Sequence, residues 1–271
     1  KWERGESVPD ILAITRLAEL LGVDLNYFSG GTTTDNGNTD TIQSPLPADE
    51  PPTAAALSTP DTLTNFSGSN LAGIDFVGTH APARKFNGSA LQAANFAAAN
   101  LTGSSFSGSD VRNASFNGAN LTDCTFSASD MSATTFEEAN LTNAKFTAVT
   151  LNGALFDHVV MAGTTFDKCD LTTTGFTNCT FNGVHFRNAD LRNMCFDGQT
   201  FTNVHFDRTA LNNATFRGAT LQNVSFRPGF AITNKYYRAL ATINFDGARM
   251  DKLTYAALKG VGAEMAGVIV V

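Results

Sequence analysis

Apolar side chains recur along this chain with a period of five. From Phe66 to Phe226 every fifth residue is Phe, Leu, Val or Met, the one exception among 33 positions being Ala81. Two residues before each of these centres the side chain is mostly small or modest, as at Ser69, Ala94, Ala99, Ser104, Cys124, Ala139, Val184 and Ala189. Two residues after it stands Gly or Asn in 20 of the 33 cases, Gly68, Gly103, Asn143 and Asn213 among them. A period of five fits neither the 3.6 of an amphipathic helix nor the 2 of a flat alternating strand.

A square coil does fit it. With one pentapeptide per side, four sides make a 20-residue turn of a β-solenoid. The centre and the small residue before it point inward, and Gly or Asn supplies the φ > 0 position of a type II corner. Coils stacked at the strand spacing of ~4.8 Å would build a rod of roughly 40 Å from about eight turns. The phase of the Phe residues agrees. Phe106, Phe126 and Phe146 belong to an unbroken column running from Phe66 to Phe226 in steps of 20, and Phe116 and Phe136 belong to the column opposite. Leu121 and Leu141 stand for the aliphatic columns between them. All of these are expected to be core. The segment His80 to Lys85 is expected to bulge one coil, and Leu155 and Val160 put apolar side chains where polar ones are expected.

The repeat resembles the pentapeptide-repeat family, whose A-(D/N)-L-x-x pattern appears at Ala99-Asn100-Leu101, Ala119-Asn120-Leu121, Ala139-Asn140-Leu141 and Ala189-Asp190-Leu191. The resemblance implies a mainly β fold, a right-handed quadrilateral β-helix over residues 63–227, without enzymatic activity. Some family members resemble B-DNA in size and charge and protect DNA gyrase.

The two ends differ from the repeat. After Arg227-Pro228-Gly229 the register breaks. Asn234 to Ala241 and Asp251 to Lys259 read as short helices, and centres resume one residue out of phase at Phe245, Met250, Met265 and Val270. Residues 228–271 are therefore expected to cap the apolar end of the solenoid. Their tail, Val268 to Val271, is either a buried last strand or an exposed edge that pairs with a second copy. At the other end, Pro9 opens an amphipathic helix that Gly22 closes, and Asp24 caps a short turn over Leu25 to Phe28. Residues 1–29, with W-E-R-G at Trp2 to Gly5 and L-A-x-x-L-G-V at Leu17 to Val23, resemble the last half of an Xre/Cro-type helix-turn-helix. That resemblance implies that Lys1 and Arg4 touch DNA phosphates, and it places the base-reading residues upstream of Lys1. Residues 30–62, with five Pro and almost no large apolar residue, have the composition of a disordered linker.

Charge and candidate chemistry narrow the function. The net charge of −7 argues against a broadly basic surface for phosphates. It divides as −6 over residues 1–60, −3 over 61–227 (ten basic, thirteen acidic) and +2 over 228–271. No apolar run reaches the length of a membrane span. Cys124, Cys169 and Cys179 fall at the small inward position, where a thiol acts as a compact hydrophobe, and Cys195 faces outward. Four unpaired cysteines suit the cytoplasm. His185 and His205, one coil apart, should stack as an exposed pair. Asp167, Arg187, Asp207 and Arg227 lie at steps of 20 and should form an alternating-charge ladder, a structural device or a partner contact. Asp110 over Asp130 and Asp170 over Asp190 stack like charges and hint at a cation or a basic partner. Asn100, Asn120 and Asn140 should form an amide ladder.

With no nucleophile–base pair, phosphate loop or metal-spaced cluster, the chain is expected to be no enzyme and to need no cofactor, metal or small-molecule substrate. The leading expectation is a cytoplasmic, bacterial-type regulator. A DNA-binding head, incomplete here, would be tethered to a rigid rod that binds an unknown protein partner or forms a homodimer through the C-terminal cap. Two alternatives stay open: a bare interaction scaffold with a vestigial head, and a DNA-mimic protector of gyrase.

Overall fold

The computed structural model describes residues 65–227 and 238–271. Lys1, Arg4, the helices expected before residue 29 and the linker over 30–62 lie outside the described residues, as does the first half of the helix expected over Asn234 to Ala241, of which Arg238 to Leu240 are described and helical.

Residues 65–227 form a mainly β, parallel solenoid of about eight coils in which each residue pairs with the one 20 positions later. We number its sides by their centres: the first side carries Phe66 to Phe226, the second Leu71 to Leu211, the third Phe76 to Phe216 and the fourth Ala81 to Leu221. The first side is a seven-stranded sheet running from Ser105–Ser107 to Ser225–Arg227. A six-stranded sheet on the fourth side starts at Val160–Ala162, and a two-stranded one lies on the third.

The interior is made of side-chain ladders. Phe106 stacks on Phe126 at 4.9 Å and Phe126 on Phe146 at 4.8 Å, with rings within 13° of parallel. Phe116 and Phe136 stack at 5.3 Å in the opposite column. Between columns the rings meet edge to face, as for Phe116 and Phe126 at 6.0 Å and 82°. Leu121 and Leu141 are wholly buried, as are these phenylalanines. Each such side chain contributes about 1.5–3 kcal/mol on burial, and the offset-stacked and T-shaped geometries add to that.

The corners explain the Gly and Asn frequency. Of the 32 corners between Gly68 and Asn223, 31 have φ between +49° and +71°, Thr173 being the exception. Gly and Asn suit this region, yet Ala, Glu138, Lys168 and Arg208 also occupy it, because the coil stack over-determines the backbone. Many corners are closed by the expected turn bond, such as Ser69 N–H to the Phe66 carbonyl. That bond is missing before every inward valine (Val149, Val159, Val184, Val204 and Val224), and each of these corners follows a three-residue strand. It is equally missing before Ser109, Ser129, Cys169, Cys179 and Ala189, which also follow three-residue strands, so the wider corner goes with the strand and not with the side chain.

The expected bulge at His80 to Lys85 does not form. Ala81 fills the inward position, 1% exposed, and the coil stays in register through His80 with Asn100 and Lys85 with Ser105. An alanine simply leaves a smaller centre. Leu155 is 54% exposed and leans over Gly175, where an added Cβ would come within 3.1 Å of Leu155 Cδ2.

At the C-terminal end two sides continue and one is covered. Phe245 stacks on Phe216 at 5.4 Å, and Arg249–Met250 pairs with Thr220 and Leu221. Helix α1, Lys252–Gly260, is N-capped by Asp251, which accepts from the Leu253 and Thr254 amides. Its buried Thr254 hydroxyl donates to the Val224 carbonyl and fixes the helix over the last strand of the first side. The strand Ile269–Val270 then pairs with Arg249–Met250 as the outer edge of its sheet, with both residues exposed. Of the two readings of the tail, the exposed edge is the one found.

Candidate interaction surface

A filled interior leaves the outer faces to carry function. Arg84 is half-buried and Lys85, Lys145, Lys168 and Arg187 are exposed, all on the first side. With Arg208 and Arg227, that side holds seven of the ten basic residues between 65 and 227 and only two of the twelve acidic ones, Asp167 and Asp207. The other three sides together hold three basic and ten acidic residues. The modest overall charge therefore hides one strongly basic face, so the expectation drawn from net charge fails locally.

Asp167, Arg187, Asp207 and Arg227 stand in strict register on adjacent strands. No ion pair within 4 Å joins neighbours in this column among the described residues; the salt bridges there lie elsewhere, as at Arg112 and Arg192. Asp167 Oδ1 instead accepts from Asn188 Nδ2 at 2.8 Å, an amide at the corner of the next coil. Arg187, Asn188, Asp207, Arg208 and Arg227 line a shallow cavity of about 230 Å³. The two buried side-chain polar atoms without a hydrogen-bond partner among the described residues, Arg84 Nε and Asp207 Oδ1, both belong to this side.

His185 and His205 stack on the same side, ring centroids 4.7 Å apart and 17° from parallel, and His205 Nδ1 meets Ser225 Oγ at 2.8 Å. Partial burial, then the neighbouring His205 ring, lower the His185 pKa. Among the described residues no group of three or more His, Cys, Asp and Glu could hold a metal ion.

The stacked acids on the second side are balanced from within. Arg112 donates to Asp110 at 2.6 Å and lies 3.8 Å from Asp130, while Arg192 donates to Asp190 at 2.5 Å. Hydrogen bonds from these guanidiniums hold Asp110 and Asp190 below the usual carboxylate range, so the hint of a cation there is withdrawn. Asn100, Asn120 and Asn140 pair through their backbones, but each side-chain oxygen accepts from the Thr two residues on rather than from the next amide. An amide ladder does run along a corner, from Asn223 to Asn203 and on to Asn182.

The inward cysteines do more than fill space. Cys124 Sγ donates to the Leu101 carbonyl at 3.0 Å, as Ser109 Oγ does to Phe86 and Thr164 Oγ1 to Leu141, each reaching the carbonyl 23 residues back. Burial pushes the Cys124 and Cys169 thiols up to about 12 and that of Cys179 to about 11. Cys195 is exposed.

Stacked pentapeptide coils, Phe ladders and left-handed corners define the chain as a pentapeptide solenoid. Sequence profiles for the pentapeptide repeat region match residues 110–174 and 149–226, and one for pentapeptide repeats (8 copies) matches residues 85–118. Together these span more than half of the chain, which belongs to the pentapeptide-repeat family. No curated protein matches it. Among solved structures it is similar to HetL of the cyanobacterium Nostoc, a pentapeptide repeat protein involved in heterocyst differentiation regulation (16% identity, 76% of this chain and 86% of that one, TM-score 0.44). It is also similar to full-length QnrB1, a plasmid-mediated fluoroquinolone resistance protein (18%, 71% and 96%, TM-score 0.32). A third similarity is to a thylakoid-lumen pentapeptide repeat protein of Arabidopsis thaliana (29%, 31% and 68%, TM-score 0.14).

Proposed function

We propose that the chain is a non-enzymatic regulator in which the solenoid is a rigid protein-binding rod and residues 1–29 belong to a DNA-binding head joined by the 30–62 linker. The observation that carries the rod's role is the packed interior: from Phe66 to Phe226 nearly every centre is buried, so recognition falls to the outer faces. Support for the head is the helix-turn-helix resemblance, with Lys1 and Arg4 on phosphates. The exposed outer edge of Ile269–Val270 supports a homodimer through the cap. Four free cysteines favour a reducing compartment, the cytoplasm. No helix among the described residues is long and apolar enough to cross a membrane.

The gyrase-protecting DNA-mimic reading draws less support, since a duplex mimic needs dense negative charge and one side of this rod is basic. The rod's role is tested with photo-crosslinkers placed singly at Thr147, Asn152, Thr177 and Asn182, exposed positions on the first to fourth sides. Capture of the same protein from one side in the native host is expected; no specific capture from any side would overturn it. The head is tested by titrating the full-length gene product and its K1E/R4E variant with mixed-sequence duplex at two salt concentrations. Salt-sensitive binding that the variant weakens is expected, and a folded head that binds nothing would sink it.

A further inference from the structure

We infer that the first side of the solenoid is the docking strip for an acidic segment of a partner protein. This rests on the reading of the solenoid as a protein-binding rod and supplies that partner's chemistry. Charge complementarity is the first support: this side has five more basic than acidic residues, and the other three sides together have seven more acidic than basic ones. The cations are ordered as well as numerous. Lys145, Lys168, Arg187, Arg208 and Arg227 fall one per coil, a line of about 19 Å at the ~4.8 Å strand spacing. Arginine fills the last three coils of the line, and its planar fork takes carboxylates in paired hydrogen bonds that an ammonium cannot make.

An unpartnered atom decides which polyanion fits. Asp207 Oδ1 is an acceptor on this strip, buried without a partner. Asp207 lines the cavity shared with Arg187 and Arg227. A phosphate backbone offers only acceptors and would set negative charge against Asp207. An acidic polypeptide offers carboxylates to the arginines and amide or hydroxyl donors to Asp207. Leaving a buried polar atom unpaired costs about 1–3 kcal/mol, so Asp207 gains when a partner supplies the missing bond. Asp167, already held by Asn188, competes little for the arginines.

The test titrates the full chain with fluorescent poly-L-glutamate of about 20 residues, and separately with a mixed-sequence duplex of similar charge, in about 20 and 150 mM NaCl. Poly-glutamate should bind at low salt and weaken roughly tenfold at the higher salt, as exposed charge pairs do. R187E/R227E should weaken it by a further factor of about ten at low salt. R217E/R249E, which makes the same net change at exposed positions on other sides, should leave affinity within about twofold. All four sites are surface arginines, and matching far-UV spectra and melting curves confirm that both variants fold. No binding of poly-glutamate, equal loss in the two variants, or tighter binding of the duplex than of poly-glutamate would each overturn the inference. The crosslinking test of the rod is read separately. Specific capture from another side, with no poly-glutamate binding, removes the basic strip while leaving the protein-binding rod in place.

Discussion

Arg112 reaches from its own coil to the next, donating to Asp110 at 2.6 Å while lying 3.8 Å from Asp130 stacked above it. The like-charge stack that in-register coils impose is thereby offset by an arginine two residues along the same side. Arg112→Ala should lower the melting temperature by a few degrees near neutral pH and low salt, because Asp110 and Asp130 are then left facing each other. The hydrogen bond from Arg112 depresses the folded pKa of Asp110 below its ordinary value of 3.8. Its stabilisation is therefore complete above that value and fades as pH falls through the lower, folded pKa. Melting of both proteins between pH 2 and 7 should show the difference shrinking at the acid end; a constant gap would contradict this.

Phe126 tests the ladder. Flanked by Phe106 and Phe146 in its own column and Phe116 edge-on, it has no route for collapse when removed. Phe126→Ala should cost about 3–5 kcal/mol in denaturant unfolding. A cost below about 1 kcal/mol would mean that the coils do not depend on continuous stacking.

Corner strain can be separated from crowding at Gly103, where φ is +70° and an added Cβ would meet nothing within 4 Å. Gly103→Val should destabilise by about 1–2 kcal/mol through backbone conformation alone, whereas Gly103→Asn should be nearly neutral. Equal effects would show that φ is not what selects the corner residue.

Thiol reactivity checks the inward position. At pH 8 in the native state one cysteine of the four, Cys195, should react with Ellman's reagent within minutes. Cys124, Cys169 and Cys179, buried and raised to about 11 or 12, should react only on unfolding. Rapid labelling of all four would contradict the packing described.

The period of five, the two Phe columns and the inward small residues made the coil legible, because a repeated side of fixed length gives every core residue the same phase. The cap was legible in part: Phe245 and Met250 resume the columns 29 residues after Phe216 and Leu221, but the helix that covers the first side depends on Thr254 bonding across to Val224, a contact no local pattern announces. The column of Asp167, Arg187, Asp207 and Arg227 was legible as an order in the sequence, while its lack of internal ion pairs was not, since that depends on side-chain placement such as Asn188 holding Asp167. The basic strip escaped because net charge sums over faces. Sorting each charged residue by its position within the 20-residue turn is the signal that separates the sides, and it needs only the sequence once the coil is accepted.

The most direct test of the account maps poly-L-glutamate binding onto the folded chain by amide chemical shifts. Shifts should concentrate at Arg187, His205, Arg227 and their neighbours on the first side, with Thr177 and Asn182 on the third and fourth sides unmoved. Shifts spread evenly over all four sides, or confined to a side other than the first, would contradict it.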